Sequence, residues 1–272
     1  MGKERLDTLL VRRGLFENRS RAGAAIREGL VRVRGETVAK PGAFVEEDAE
    51  IEVTRIMDFA SRGALKLEKA LEVFQVSPEG RVCIDCGAST GGFTDCLLRR
   101  GARKVYAVDV GEGQLLPRLR EDPRVVVMER TNVRDLAPSD LPERPTLAVI
   151  DVSFISLRLV LPPVRALLSE GGEAVCLIKP QFEAGREHVG KKGVVRSAAA
   201  HEMVLRRWME DAKNAGFSVA GLDFSPVTGS DGNIEFLGHL VTPPALAPIL
   251  SPGDVVAAAH AALDARRRRE RA

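Results

Sequence analysis

The sequence predicts two units of unequal size, a small N-terminal α+β module and a larger open α/β domain built on a mostly parallel sheet. Three observations carry that expectation. Beyond Ser61, strand-like and helix-like runs alternate almost to the end of the 272-residue chain, the pattern of a parallel sheet with helices on both faces. The apolar run Val82-Cys83-Ile84 ends in Asp85 and passes directly into Gly87-Ala88-Ser89-Thr90-Gly91-Gly92, a small-residue turn of the kind that lets a ligand approach a sheet's carboxyl edge. Charge is uneven: residues 1–40 hold ten Lys or Arg against five Asp or Glu, whereas the whole chain, with 40 basic and 38 acidic residues, has a net charge of only +2.

In the first unit, Leu6, Leu9 and Leu10 form a helical stripe that stops near Gly14. Asn18 or Ser20 can cap a second helix whose Ala22, Ala25 and Ile26 face a core and which ends at Gly29. Val31 and Val33 alternate with Arg32 and Arg34 before a turn at Gly35-Glu36 and a short strand around Val38. Acidic residues then crowd between Glu46 and Glu52. A basic face of this kind suits phosphates; charge alone does not separate it from an ordinary solvated surface. Residues 54–60 lack periodicity and read as a linker between a module at 1–53 and a domain at 61–245.

In the second unit, Leu67, Leu71 and Phe74 give a first helix its core face. Strands are expected at Val82–Asp85, Val105–Val110, Val125–Glu129, Leu147–Val152, Glu173–Ile178, Ser218–Phe224 and Ile234–Leu240. Helices are expected at Thr94–Arg100, Gln114–Arg120, Leu157–Leu168 and Ala198–Ala215. The last two strands have no helix between them, which fits an antiparallel end to the sheet. Residues 246–272 form a tail in which Ala-rich sequence leads to Arg266-Arg267-Arg268-Arg269. Its helix propensity is high, and a solvated or disordered tail is the favoured reading over contact with RNA.

Composition excludes several classes. The four cysteines, Cys83, Cys86, Cys96 and Cys176, sit inside apolar runs, which suits core thiols in a reducing compartment. Cys83 and Cys86 have metal or redox spacing, but no second Cys/His pair accompanies them. No apolar run approaches the roughly 20 residues of a membrane helix, and Met1-Gly-Lys-Glu-Arg lacks a signal-peptide core. The expectation is a cytoplasmic protein with no membrane association, no metal and no stable protein partner.

The glycine turn is neither G-x-G-x-x-G nor the phosphate loop, because no lysine follows it to hold a β- or γ-phosphate. Asp-x-Gly-x-x-x-Gly-Gly instead resembles the first motif of S-adenosylmethionine (SAM) dependent methyltransferases, whose fold is Rossmann-like. That resemblance implies that Asp85, Gly87, Ser89, Thr90, Gly91, Gly92 and Phe93 surround the methionine part of the cofactor. Asp109, ending the second strand, is placed to accept hydrogen bonds from ribose hydroxyls. Asn132, after the third strand, could meet the adenine edge or simply shape a turn.

Four ionisable residues at or beside strand ends narrow the reaction. They are Lys66, Asp151 at the end of Leu147-Ala148-Val149-Ile150, Lys179 after Cys176-Leu177-Ile178, and Glu235 in Gly232-Asn233-Ile234-Glu235. Any one alone reads as a structural charge; four converging on one sheet edge do not. The K-D-K-E set resembles the catalytic tetrad of FtsJ-type ribose 2′-O-methyltransferases. Arg5-Leu6-Asp7, Ser20-Arg21, Ile26, Gly29 and Val31-x-Val33-x-Gly35 resemble the S4 RNA-binding domain. With Val108-Asp109-Val110-Gly111, Glu129-Arg130-Thr131-Asn132, Asp151-Val152-Ser153-Phe154 and Lys179-Pro180-Gln181-Phe182-Glu183, residues 4–240 are similar to the TlyA family, rRNA methyltransferases that often carry the name hemolysin. Where that family commonly reads Gly-Tyr-Gly-Gln, this chain reads Gly111-Glu112-Gly113-Gln114.

The resemblance implies methyl transfer from SAM to a cytidine 2′-hydroxyl of ribosomal RNA or ribosomal subunits. Lys179 is then the candidate base, Lys66 a holder of ribose oxygens, and the carboxylates their orienters. Arg5, Arg12, Arg13, Arg19, Arg21, Arg32 and Arg34 become candidate RNA contacts. Three rivals belong to other classes. A cytolysin needs a lipid-entering segment that the chain lacks. A non-catalytic RNA-binding assembly factor leaves the tetrad idle. A small-molecule methyltransferase leaves the basic module unexplained.

Overall fold

The computed structural model describes residues 2–16, 18–27, 30–38, 40–53, 59–229, 232–242 and 251–271. The chain divides into two compact units, Met1–Asp58 and Phe59–Ala272. The helix end expected at Gly29, most of the expected linker (residues 54–58) and the start of the tail (residues 246–250) lie outside the described residues, as does the side chain of Arg21.

The first unit runs β1 (Lys3–Arg5), α1 (Leu6–Arg12), α2 (Arg19–Arg27), β2 (Val31–Val33), β3 (Glu36–Thr37), β4 (Phe44–Glu46) and β5 (Ile51–Val53). Leu6, Leu10, Ala22, Ala25, Ile26 and Val31 form its core. The i, i+3, i+4 stripes of the two helices therefore bury each other. β1 pairs antiparallel with β4, and β3-β2-β5 form a separate antiparallel sheet. The β2–β3 turn is Arg34-Gly35, one residue earlier than the sequence suggests, with Val33 opposite Glu36. Both turn residues have positive φ, +52° and +81°, the two-residue geometry whose twist matches a hairpin.

The second unit runs α3 (Gly63–Val73), β6 (Val82–Cys86), α4 (Gly92–Arg99), β7 (Lys104–Val108), α5 (Pro117–Arg120), β8 (Val125–Met128), β9 (Leu147–Ile150), α6 (Leu161–Leu167), β10 (Glu173–Ile178), α7 (Pro180–Glu183), α8 (Ala198–Asn214), β11 (Ser218–Phe224), β12 (Phe236–Val241) and α9 (Pro252–Arg271). Its sheet has the order β11-β12-β10-β9-β6-β7-β8. The strands from β10 to β8 pair in parallel, and β12 is antiparallel to both β10 and β11. Strand alternation splits the core cleanly. Cys83, Val105, Leu147, Val149, Val175 and Leu177 face α3 and α4. Ile84, Tyr106, Ala148, Ile150, Cys176 and Ile178 face α6, α8 and α9. The chain leaves β6 in both directions across the sheet, so the β6/β9 boundary is a switch point where such folds bind ligands.

Three expectations change. The helix expected from Gln114 starts at Pro117, and the one expected from Leu157 becomes a 3₁₀ turn, Leu157–Leu159, before α6. In both cases proline occupies the first helical turn, the place in a helix that tolerates its missing N–H. The C-terminal segment is not a loose tail. Val256 and Ala259 are buried, Leu263 packs against the same cluster, and His260 Nε2 lies 2.9 Å from Nδ1 of the buried His201 on α8. An apolar stripe thus docks α9 before the arginine run begins. All four cysteines are free and buried, and burial pushes the Cys83 and Cys96 thiols up to about 12. No helix among the described residues is long and apolar enough to cross a membrane.

Candidate active site

Strand register assembles the site. Cys86 pairs with Ile150, so Gly87 and Asp151 leave the sheet side by side. Ile178 pairs with Phe236, so Lys179 and Glu235 flank the same edge from opposite chain directions. α3 packs on β10 and β12, which delivers Lys66 to that edge. Two short ion pairs result. Lys66 Nζ lies 2.6 Å from Glu235 Oε2, and Lys179 Nζ lies 2.6 Å from Asp151 Oδ1. Lys179 also donates to Ser153 Oγ at 2.8 Å. Glu235 is buried, and burial raises its carboxyl pKa against the opposing charge of Lys66. Lys179 and Asp151 act on it electrostatically as well, so the four groups form one coupled cluster.

The turn after β6 is held by its neighbours' backbone. Gly87 and Ala88 both donate to Val108 O, at 2.9 and 3.1 Å. Gly87, Ser89 and Gly91 have φ of +92°, +48° and +98°. At Gly87 the reason is close approach, because a Cβ there would sit 2.6 Å from the Asp151 carbonyl oxygen. Asp109 ties two loops together, accepting from Ser89 N at 2.8 Å and Gly111 N at 2.7 Å. Each of its oxygens keeps a further lone pair. Asp85 is fully buried; Oδ2 accepts from Thr94 Oγ at 2.7 Å, while Oδ1 has no hydrogen-bond partner among the described residues. Burial pushes its carboxyl up to about 7.

Other expected cofactor residues sit differently. Ser89 and Thr90 are exposed on the turn, whereas Gly91 and Gly92 are buried where it enters α4. Phe93 packs into the core with Ala64 and Leu67. Asn132 shapes a turn, its side-chain oxygen accepting from Arg134 N at 3.1 Å. Glu112, standing where the TlyA pattern has an aromatic residue, pairs with Arg130 at 2.5 Å.

Sequence reasoning missed two residues beside Lys179. Ser153 is its hydrogen-bond partner. Phe154 is 91% exposed, has φ of +63°, and lies 5.1 Å from the Phe182 ring centroid to centroid. A bulky residue in this conformation is a backbone outlier, and such strain clusters at functional sites. Both lie past the end of β9, where strand periodicity no longer says which way a side chain points.

In the first unit, the candidate RNA contacts divide. Arg5 and Arg19 both pair with the buried Asp7, at 2.8 and 3.0 Å, and hold its carboxyl far below the usual range. Arg12 pairs with Glu4 at 2.8 Å, and Arg13 donates to Ala49 O and Glu47 O at 2.8 and 2.6 Å. Arg32 and Arg34 are exposed on the hairpin.

Comparison with known proteins gives concordant matches. A family model described as FtsJ-like methyltransferase matches residues 59–241, and one described as S4 domain matches residues 4–51. The chain is 54% identical over 243 residues to YqxC of Bacillus subtilis, whose given name proposes an rRNA methyltransferase; the match covers 89% of this chain and 86% of that protein. It is 44% identical to the 16S/23S rRNA (cytidine-2′-O)-methyltransferase TlyA of Mycobacterium tuberculosis, covering 88% and 90%. A solved structure from Streptococcus thermophilus, whose given name proposes a hemolysin, superposes with a TM-score of 0.79 at 48% identity, covering 98% and 99%.

Proposed function

The chain belongs to the FtsJ-like methyltransferase family and carries an S4 domain at its N-terminus, and from that premise we propose that it is a SAM-dependent ribosomal RNA methyltransferase acting on the 2′-hydroxyl of cytidine. The observation that carries this reading is the pair of short lysine–carboxylate contacts, Lys66–Glu235 and Lys179–Asp151, at the carboxyl edge beside the glycine turn. The cofactor would lie along Asp85, the turn from Gly87 to Gly92, and Asp109. The partnerless Asp85 Oδ1 and the spare lone pairs of Asp109 suit a polar ligand with hydroxyl and ammonium groups. When bound, it supplies an electrophilic methyl group on a positively charged sulfur.

This chain's residues then have two tasks. The first is alignment, since holding the ribose oxygen in line with the methyl group can contribute about 7–11 kcal/mol in favourable cases. Lys66 would hold ribose oxygens, with Glu235 fixing its ammonium group. The second is the proton. As the oxygen–methyl bond forms and the methyl–sulfur bond breaks to leave a neutral thioether, the 2′-hydroxyl proton would pass to the lone pair of Lys179 Nζ. Lys179 takes this role as the neutral amine, with Asp151 and Ser153 orienting that nitrogen. Phe154 offers an exposed ring at the same edge on which a base can stack. Arg32 and Arg34 are the hairpin cations free to meet RNA phosphates.

The test is primer extension at limiting nucleotide concentration on unmodified ribosomal RNA, before and after incubation with the enzyme and SAM. A new stop at a cytidine, marking a methylated ribose, is expected. Methyl label recovered in a base rather than a ribose would overturn the assignment.

A further inference from the structure

The segment between α7 and α8 is built as a rigid basic turn that the tetrad does not use. Residues 184–197 carry Arg186, Lys191, Lys192 and Arg196, all exposed, against the single acid Glu187. Among the described residues none of the four cations has an ion-pair partner; the segment's one pair is His188 with Glu187 at 3.9 Å. Several other arginines of this unit are paired with carboxylates, as Arg81 is with Glu173, Arg103 with Glu143 and Arg120 with Glu129.

The turn has a fixed shape. Gly190 donates to Val194 O at 3.1 Å and Gly193 donates to Gly190 O at 2.8 Å, which puts Lys191 and Lys192 at the tip. Val194 and Val195 are buried beneath it. Asn233, itself buried, accepts from Val195 N at 3.1 Å and donates to Gly193 O at 3.0 Å. Both roots therefore stand on the tetrad's own scaffold. One follows α7, whose N-cap is Lys179; the other is pinned by Asn233, two residues before Glu235.

From these observations we infer that this turn is a second RNA-contact surface, gripping phosphates that flank the methylated ribose. The inference rests on the function proposed above. Exposed cations without exposed aromatics suit the sugar-phosphate backbone, and phosphate contacts fix register without reading sequence. A turn rooted on Lys179 and Glu235 converts that grip into ribose alignment, to which transfer rates are steeply sensitive.

The test compares two full-length variants with equal charge change, Lys191→Gln/Lys192→Gln on the turn and Lys213→Gln/Arg268→Gln at exposed positions on α8 and α9. Binding to unmodified ribosomal RNA is measured across a salt series, with SAM affinity and thermal melting alongside. Two lost phosphate contacts at a slope of about 0.7 each predict a log–log salt slope shallower by about 1.4 and affinity down roughly 25-fold at about 0.1 M salt. The turn variant should show this with unchanged SAM affinity and melting, and the control should not. Equal slopes in wild type and turn variant, with wild-type methylation intact, would overturn the turn's assignment alone. So would a loss seen only with whole ribosomal subunits, which would make the partner a protein. A wild type that neither binds nor methylates ribosomal RNA would overturn this inference together with the proposed function.

Discussion

Replacing Gly87 by alanine would drive a side chain into the backbone of Asp151. Its φ of +92° already excludes most residues, and the new Cβ would lie 2.6 Å from the Asp151 carbonyl oxygen, 3.0 Å from its carbon and 3.3 Å from Val152 N. Hydrogen bonds from Gly87 and Ala88 to Val108 prevent the turn from swinging away. The left-handed conformation costs about 1–2 kcal/mol and the overpacking about 1–3 kcal/mol more. At about 2–4 °C per kcal/mol for a domain of this size, melting falls by roughly 5–20 °C. Gly80 provides the comparison, since it also has positive φ, +69°, but an added methyl there would meet nothing within 4 Å. Gly80→Ala should therefore lose only about 2–8 °C and keep its activity. Because Asp151 is the partner of Lys179, Gly87→Ala should also lose methyl transfer by about 100-fold or more. Calorimetry on both variants with a SAM transfer assay decides the matter. Equal melting of the two variants with wild-type turnover in Gly87→Ala would refute the packing argument.

Three further outcomes follow from the same geometry. Because burial raises the Asp85 carboxyl from 3.8 to about 7, its contribution to stability is full at acid pH and is lost as pH rises through that window, on the order of 4 kcal/mol in all. The stability of wild type relative to Asp85→Asn, which has no titrating group there, should fall by that amount between about pH 4 and 7. A difference that does not change with pH would contradict the burial argument. Lys66→Met strands the buried Glu235 and should cost about 3 kcal/mol; adding Glu235→Gln should restore most of the stability measured by denaturant titration but none of the methyl transfer. Phe154→Gly relieves positive-φ strain and should melt no lower than wild type. Its RNA kcat/KM should nevertheless fall about 5- to 160-fold, from a lost stack of about 1–3 kcal/mol, with SAM affinity unchanged.

How far these features are legible in the sequence depends on what each residue's signal reports. Apolar runs in Val82–Asp85, Leu147–Val152 and Glu173–Ile178 report burial on both sheet faces, and the strands form there within two residues. Glycine reports backbone freedom, which is why the turn after Asp85 stands out from residue type and spacing alone. Three-residue strands such as β1, all charged, are set by pairing with β4 and leave no periodic trace. Charge counts report surface, not partners. Arg13 is spent on carbonyls of Glu47 and Ala49, more than thirty residues away, which no local pattern encodes. The docking stripe of α9, Val256, Ala259 and Leu263, is present at helical spacing but is masked by the arginine run that follows it. Ser153 and Phe154 lie in the loop past β9, where no repeat of residue types fixes the direction of a side chain.

The most direct test of the account is methyl transfer by Lys179→Met. The substitution keeps an unbranched apolar stem but removes the nitrogen that Asp151 and Ser153 orient. SAM affinity should stay at the wild-type value while 2′-O-methylation of ribosomal RNA falls by about 10²- to 10⁴-fold, the range of a lost general base. Transfer at the wild-type rate would contradict it.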